Sequence, residues 1–306
     1  QHEVKNVEFS EDKVTLAVVH NDNKYNVEAK FILDASGFGR VLPKLLSLEL
    51  PSTLSTKRSV FCHIKDNITD KDYDRDKILI TVHPTLHDVW YWLIPFADGT
   101  ASIGVVGEVE HFDSEKSDEA IFDMFVSQDN NLRHILKNAS KVTPVRALQG
   151  YSSDVTKLYG ERFALLGNAG EFLDPVFSSG VTIAMCSASL AANTLAKQLS
   201  GEAVCWQTDF SDSLKKGIDV FKVFVMSWYN TELQDVIFFQ KEENDVKSMI
   251  CSILAGYAWD EENPYATKTK RRLVALSHLC QNQPQENLKQ PLQKTSGEQN
   301  ENSGAL

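Results

Sequence analysis

A chain of 306 residues with 42% hydrophobic content holds enough apolar material for a sizeable core and predicts one large domain or two interleaved ones. Its formal net charge of −11, with no Lys/Arg block and no basic-aromatic stripe, argues against nucleic acid and anionic membrane and for small-molecule chemistry. Cys62, Cys186, Cys205, Cys251 and Cys280 are scattered, with no CxxC and no His at ligand spacing, which predicts neither a disulfide framework nor a metal site and fits a reducing cytoplasm.

The sequence opens at Gln1 with no initiator Met and no signal-peptide pattern, and it reads as a fragment. Residues 4 to 34 predict a β-meander: Val7 and Phe9, then Val14, Leu16 and Val18, then Tyr25, Val27, Ala29, Phe31 and Leu33, separated by the turns SEDK and HNDN. The third strand should deliver DASGFGR, Asp34 to Arg40, at its carboxyl end, where α/β proteins bind ligands. From Ser59 to Val106 the segments SVFCHI, KILITV, VWYWLIPF and ASIGVV, parted by polar turns, predict an antiparallel sheet. Ser117, followed by Asp118 and Glu119, opens a helix with Ile121, Phe122 and Phe125 on its apolar side.

RFALLGNAG then predicts a short buried strand and a glycine turn ahead of residues 175–196, a run without charge. The run is long enough to cross a bilayer, but its serines, threonines and asparagine favour a helix enclosed by protein over a transmembrane one, because an enclosed helix has no face that needs charge. Beyond Asp209 the spacing of Phe221, Phe224, Val225 and Trp228 predicts one buried helix face. Residues 284–306 are polar with almost no apolar side chains and predict a disordered tail.

Three stretches bear on chemistry. Gly167, Ala169 and Gly170 leave little side-chain bulk at a strand end, and Ser178, Ser179 and Gly180 stand at the start of the helix behind it. Free backbone N–H groups there would suit an anion or an electron-rich ring edge; a plain packing turn is the competing reading. Trp90 and Trp92 alternate on a strand and share one face, as core or as the wall of a substrate cavity. Cys186 on the uncharged helix reads as an inert thiol, and His63 and His83 have no Asp or Ser partner at a recognisable spacing.

GNAGEFLDPVFSSG resembles the second flavin-binding motif of FAD-dependent oxidoreductases of the aromatic-hydroxylase fold, in the form found in flavin-dependent halogenases. Phe172, Pro175, Ser178 and Gly180 match F-x-x-P-x-x-S-x-G at every fixed position, WYWLIP matches W-x-W-x-I-P, and DASGFGR is similar to an element of the same enzymes' FAD domain. The resemblance runs from Val7 to Pro264. It implies a mixed α/β fold, an aromatic-hydroxylase-like FAD-binding fold lacking its N-terminal βαβ unit, with an antiparallel-sheet substrate domain and C-terminal helices. Residues 1–50 and 151–200 would belong to the FAD-binding domain, 51–150 to the substrate domain and 201–283 to a C-terminal helical region.

The family's chemistry implies reduced FAD supplied by a separate flavin reductase, O2, and chloride or bromide, acting on an electron-rich phenol, pyrrole or indole, free or on a carrier protein. Asp34, Gly37, Gly167, Asn168, Ala169, Gly170, Pro175, Ser178 and Gly180 would bind the cofactor, backbone N–H groups of Ser179 and Gly180 the halide, and Trp90, Trp92 and Phe177 would line the substrate cavity. Ser36 and Asn168 stand where the hydroxylases usually carry Asp, and Phe177 where tryptophan halogenases tend to have Glu, which turns the reading away from free tryptophan. No G-x-G-x-x-G unit occurs in residues 1–306, and GFGRVLPKLL lacks its spacing. The family's active-site lysine lies in that N-terminal unit, so no catalytic residue is assigned within the sequence. Two alternatives stay open: a non-halogenating flavin reductase or monooxygenase of the same fold acting on a lipid, polyene or polyketide, and an inactive fragment without cofactor.

Overall fold

A computed structural model describes residues 2–69, 71, 73–239 and 244–282; the expected tail at 284–306 lies outside the described residues. The alternating segments form an antiparallel meander of β1 (Glu3–Phe9), β2 (Val14–His20) and β3 (Asn23–Ala29). Asn21 and Asp22, at φ 46° and 65°, make the tight hairpin between β2 and β3, a conformation that short amide and carboxylate side chains tolerate. Val7, Val14 and Val18 are buried, whereas Tyr25 and Val27 on β3 are exposed. The third strand is an edge that adds little to the core, contrary to its apolar spacing.

Nor does that strand deliver Asp34. The chain bends at Lys30, and residues Ile32–Asp34 form a separate strand, β4. The Phe31 ring stacks on Trp206 with centroids 4.8 Å apart, and the Ile32 amide donates to the Arg162 carbonyl at 2.9 Å. These contacts commit the segment to parallel pairing with a strand far along the chain instead of continuing the meander.

After α1 (Val41–Leu45) and β5 (Glu49–Pro51), the long strands β6 (Lys57–Lys65), β7 (Leu79–Val82), β8 (Trp90–Pro95) and β9 (Thr100–Glu108) form the expected antiparallel sheet. Helices α2 (Asp118–Gln128) and α3 (Asn130–Ile135) follow. The Ser117 hydroxyl caps α2 by accepting from the Ala120 amide at 3.2 Å, and Asp129 caps α3. Strands β10 (Ser140–Lys141) and β11 (Arg146–Gln149) then pair with β6. Alternation along β8 splits its side chains between two cores. Tyr91 and Leu93 pack with Phe122 and Phe125 of α2, while Trp90 faces the larger core on the other side.

That larger core receives β12 (Ser153–Val155), paired with β5, then β13 (Tyr159–Gly160) and the fully buried β14 (Phe163–Leu165), which runs parallel to β4. The helices α4 (Ser179–Leu199), α5 (Ser213–Tyr229), α6 (Glu232–Ile237), α7 (Asn244–Leu254), α8 (Pro264–Thr267) and α9 (Thr269–Asn282) complete the described chain. Phe221, Phe224, Val225 and Trp228 form the buried face of α5, as their spacing predicts. On its neighbouring side Gly217 is required by close approach, since a Cβ there would lie 2.1 Å from the Trp259 indole.

Helix α4 departs from expectation. Ile183, Ser187, Ala191 and Thr194 form a buried stripe, but Val181 is 75% and Met185 67% exposed, with Ala188, Ala192 and Ala196 on the open side. Lack of charge therefore does not reflect enclosure: one stripe is packed, and the rest is a small, apolar face turned outward. By length and composition α4 is apolar enough to cross a membrane; Ile183 and Ala191 of its buried stripe pack into the larger core.

Candidate functional site

The carboxyl ends of β4 and β14 lie side by side, joined by the Leu166 amide donating to the Asp34 carbonyl at 2.8 Å. Both chains turn there. The Asp34 carboxylate accepts from the Ser36 and Leu42 amides, each at 2.8 Å, so it builds the turn into α1 with both its oxygens. Gly37, at φ 59°, opens that turn and has nothing within 4 Å of where a Cβ would stand. The neighbouring Phe38 is 57% exposed, and its ring meets Phe172 edge-on at 5.2 Å.

The second turn, Gly167 to Gly170, packs directly on α4. Gly167 adopts φ 50°, and a Cβ there would approach Ala184 Cβ to 2.9 Å; at Gly170 it would approach Leu158 to 2.8 Å. The Gly167 amide donates to Ser187 Oγ at 2.9 Å. These two glycines thus serve close packing, the competing reading of the turn, and with buried Ala169 they set where Asn168 stands. Gly180 differs: a Cβ there would touch only Phe172, at 3.4 Å, and Asn168 Oδ1, at 3.8 Å, so it looks into the space beside Asn168.

Between these turns lies Arg40, to which the sequence assigns no role. It is 6% exposed and sits at φ 46°. Its guanidinium donates to Glu49, to Ser153 Oγ at 2.7 Å, and to the carbonyls of Asp154, Asn168 and Gly170. One buried cation therefore ties the DASGFGR turn to the glycine turn and to β12. Nothing in the spacing of the sequence marks partners more than a hundred positions away.

Pro175 starts a 3-10 turn over Pro175–Phe177, which ends at Ser178 in the left-handed region at φ 51°. The kink sends the chain into α4 with no side-chain cap on its first turn, since the Ser178 hydroxyl does not accept there. The N–H groups of Ser179 and Gly180 stand at that uncapped end, where the helix dipole favours negative charge.

Phe177 points away from this end and meets Phe224 and Trp228 of α5 edge-on, at 6.4 and 6.0 Å. Trp90 and Trp92 do share a face, with centroids 5.8 Å apart. Trp92 is half-buried, lies flat over Gly104 and donates to Ser102 Oγ at 3.1 Å. Trp90 is 1% exposed, so the open surface of the pair belongs to Trp92. Trp90 also reaches the second motif, because its indole N–H donates to Tyr229 Oη at 2.9 Å and Tyr229 donates to Asp174 Oδ2 at 3.0 Å. Burial pushes the Asp174 carboxyl up to about 6, against the opposing pull of the Val176 amide, the Tyr229 hydroxyl and Lys57. Of the other three residues weighed from the sequence, His83 accepts from the Thr85 and Leu86 amides within a turn, the His63 ring meets Phe96 edge-on at 5.4 Å, and burial raises the pKa of the Cys186 thiol.

Comparison with known proteins places this geometry. A solved flavoprotein/dehydrogenase from Cytophaga hutchinsonii superposes with a TM-score of 0.85 and 37% identity, covering 92% of this chain and 69% of that one. A 1H-pyrrole-2-carbonyl-[peptidyl-carrier protein] chlorinase from Pseudomonas fluorescens is 27% identical over 247 residues, 78% of this chain and 55% of the relative. A corresponding brominase from Pseudoalteromonas luteoviolacea is 24% identical over 268 residues, 85% of this chain and 64% of the relative. The chain thus spans between 55% and 64% of the length of these two curated relatives. The model of the tryptophan halogenase family matches residues 1–260, a span that includes both turns, the tryptophan strand and the uncapped helix, and this chain belongs to that family.

Proposed function

We propose that this chain carries the halide- and substrate-facing part of an FAD-dependent halogenase that acts on an electron-rich phenol, indole or pyrrole. The observation that carries the reading is the uncapped first turn of α4 beside the room left at Gly180, entered by a turn whose Asp174 is hydrogen-bonded through Tyr229 to the tryptophan strand. Open space at Gly37 and the looser packing at Gly180, with an exposed aromatic ring at Phe38, fit a flat ring system. When bound, reduced FAD supplies the oxidising chemistry, using O2 and chloride or bromide.

The chain's own residues bind and exclude. The N–H groups of Ser179 and Gly180 would hold the halide, with Ser178 fixing their direction through its left-handed backbone. Asn168 brings an uncharged donor and acceptor beside Gly180. Asp34, Gly167, Ala169, Gly170 and Pro175 shape the cradle through the internal bonds and close packing described above. Trp92 would present an apolar wall backed by buried Trp90, with Phe177 packed on α5 behind the helix entry, and such a wall favours a flat or tethered aromatic over a zwitterion, whose charges would lose hydration without partners. The two curated relatives are named for a pyrrole held on a carrier protein, which supports a carrier-bound pyrrole as the first substrate to try. A separate flavin reductase and a cytoplasmic location belong to the same reading.

The test supplies the enzyme with a flavin reductase, NADH, O2 and bromide, and screens phenols, indoles and pyrroles, free and carrier-bound, by mass spectrometry for the bromine isotope doublet. Brominated product is expected. The structural neighbour named a flavoprotein/dehydrogenase favours a second reading, a flavin oxidoreductase that does not halogenate. Hydroxylated or dehydrogenated products alone would establish that reading instead.

A further inference from the structure

We propose that Tyr229, at the end of α5 and outside both family motifs, is a positioning residue that fixes the tryptophan wall against the turn leading into the anion-binding end of α4. The inference rests on the halogenase reading for its chemical consequence, but the clamp itself rests on geometry alone.

Three separate segments meet at this side chain of α5. From β8, the Trp90 indole N–H donates to Tyr229 Oη at 2.9 Å. The Tyr229 hydroxyl in turn donates a hydrogen bond to Asp174 Oδ2 at 3.0 Å, and the second carboxylate oxygen, Oδ1, accepts from the Val176 amide at 3.0 Å. That amide belongs to the 3-10 turn that runs directly into Ser178, Ser179 and Gly180. From β6, the ammonium of Lys57, only 3% exposed, sits 4.0 Å from the Tyr229 ring centroid and pairs with Glu108 at 2.6 Å. A buried cation over its face and two hydrogen bonds at its edge leave the phenol one orientation.

The arrangement transmits position. Trp90 reports where the sheet is, Asp174 reports where the turn is, and the phenol oxygen holds them at two bond lengths from each other. Truncating that oxygen frees the indole N–H and one carboxylate oxygen inside the core, so the local structure must relax to satisfy them. Because the Asp174 carboxylate also holds Val176, relaxation moves the backbone N–H groups at the start of α4 relative to the indole wall. Reaction between a species generated at one and an aromatic ring held at the other is sensitive to that distance.

The Tyr229→Phe variant keeps the ring and its contact with Lys57 while removing both hydrogen bonds. In the isotope-labelled chain it should shift the Trp90 indole N–H resonance and also the amide resonances of Ser178, Ser179 and Gly180, which Tyr229 does not touch. In the active enzyme, brominated product per turnover should fall about tenfold, with the KM for the aromatic substrate unchanged and the missing reducing equivalents recovered as hydrogen peroxide. Should this variant not fold, Trp90→Phe removes the same bond from its other end and must move the same three amides. Unmoved amides at Ser178 to Gly180, or bromination coupled as in the parent, would overturn the proposal. If the parent itself makes no brominated product while the amides shift, the halogenase reading falls and the clamp stands.

Discussion

Asp174 shows how one side chain acquires a property its position in the motif does not announce. Its carboxyl is 2% exposed and faces Lys57 from β6, Glu108 from β9, Tyr151, and Tyr229 from α5. Burial lifts it to about 6 from its ordinary 3.8, so the folded protein holds the carboxyl proton more tightly than the unfolded chain does. The stabilising contribution of that preference is complete below 3.8 and is lost as pH rises through about 6. An asparagine cannot ionise, and Asp174→Asn therefore should gain on the parent with rising pH. The difference between the two melting temperatures should shift in the variant's favour by several degrees between pH 4 and pH 8, since a displacement of about two pKa units corresponds to roughly 3 kcal/mol. A difference that is the same at both pH values would show that the carboxyl ionises in the fold as readily as in water. Arg40 is the opposite case, a buried charge whose guanidinium meets Glu49, Ser153 and three backbone carbonyls, and its value lies in tying two turns together.

At the scale of elements, the tryptophan strand depends on its neighbour. Trp92 lies flat because Gly104 stands opposite it in the β8–β9 register, and a Cβ on Gly104 would come within 2.3 Å of the indole. Gly104→Ala should push Trp92 off its place over β9 and away from Ser102. Overpacking of this kind costs about 1–3 kcal/mol, readable as a lower denaturant midpoint together with a shifted tryptophan emission. Emission and midpoint equal to those of the parent would mean that the ring is free to move and that Gly104 does not define the wall. Helix α4 makes a second point at this scale. Its core-facing stripe follows from side-chain spacing, but its outward face carries Val181, Met185, Ala188 and Ala192 with no charge among them, a pattern that residue periodicity alone reads as burial.

For the whole molecule, the described residues bring two turns and a helix end up against the tryptophan strand, and the sequence contains no G-x-G-x-x-G spacing of the kind that holds a pyrophosphate. The polypeptide 1–306 on its own should therefore bind FAD weakly. Titration of FAD against it, followed by flavin fluorescence, is expected to show no saturation at submicromolar concentrations; tight binding would mean that the helix end and the two turns hold the cofactor without that spacing.

The sequence by itself determined the elements whose cause is local. Apolar segments parted by polar turns gave the four strands of the sheet, a serine followed by two acids gave the start of α2, the i, i+3, i+4, i+7 spacing gave the buried face of α5, and two complete motifs in order pointed to the family. Only the tertiary structure decided that β4 leaves the meander for β14, that Gly167 and Gly170 are closely packed whereas Gly180 has room for ordinary contact beside Phe172 and Asn168, and that Arg40, Lys57 and Tyr229 join the segments around the candidate site. The reason is physical: a strand or helix is written in the period of its own side chains, whereas a buried charge or hydroxyl is placed by partners from distant segments, and no local pattern records who those partners are.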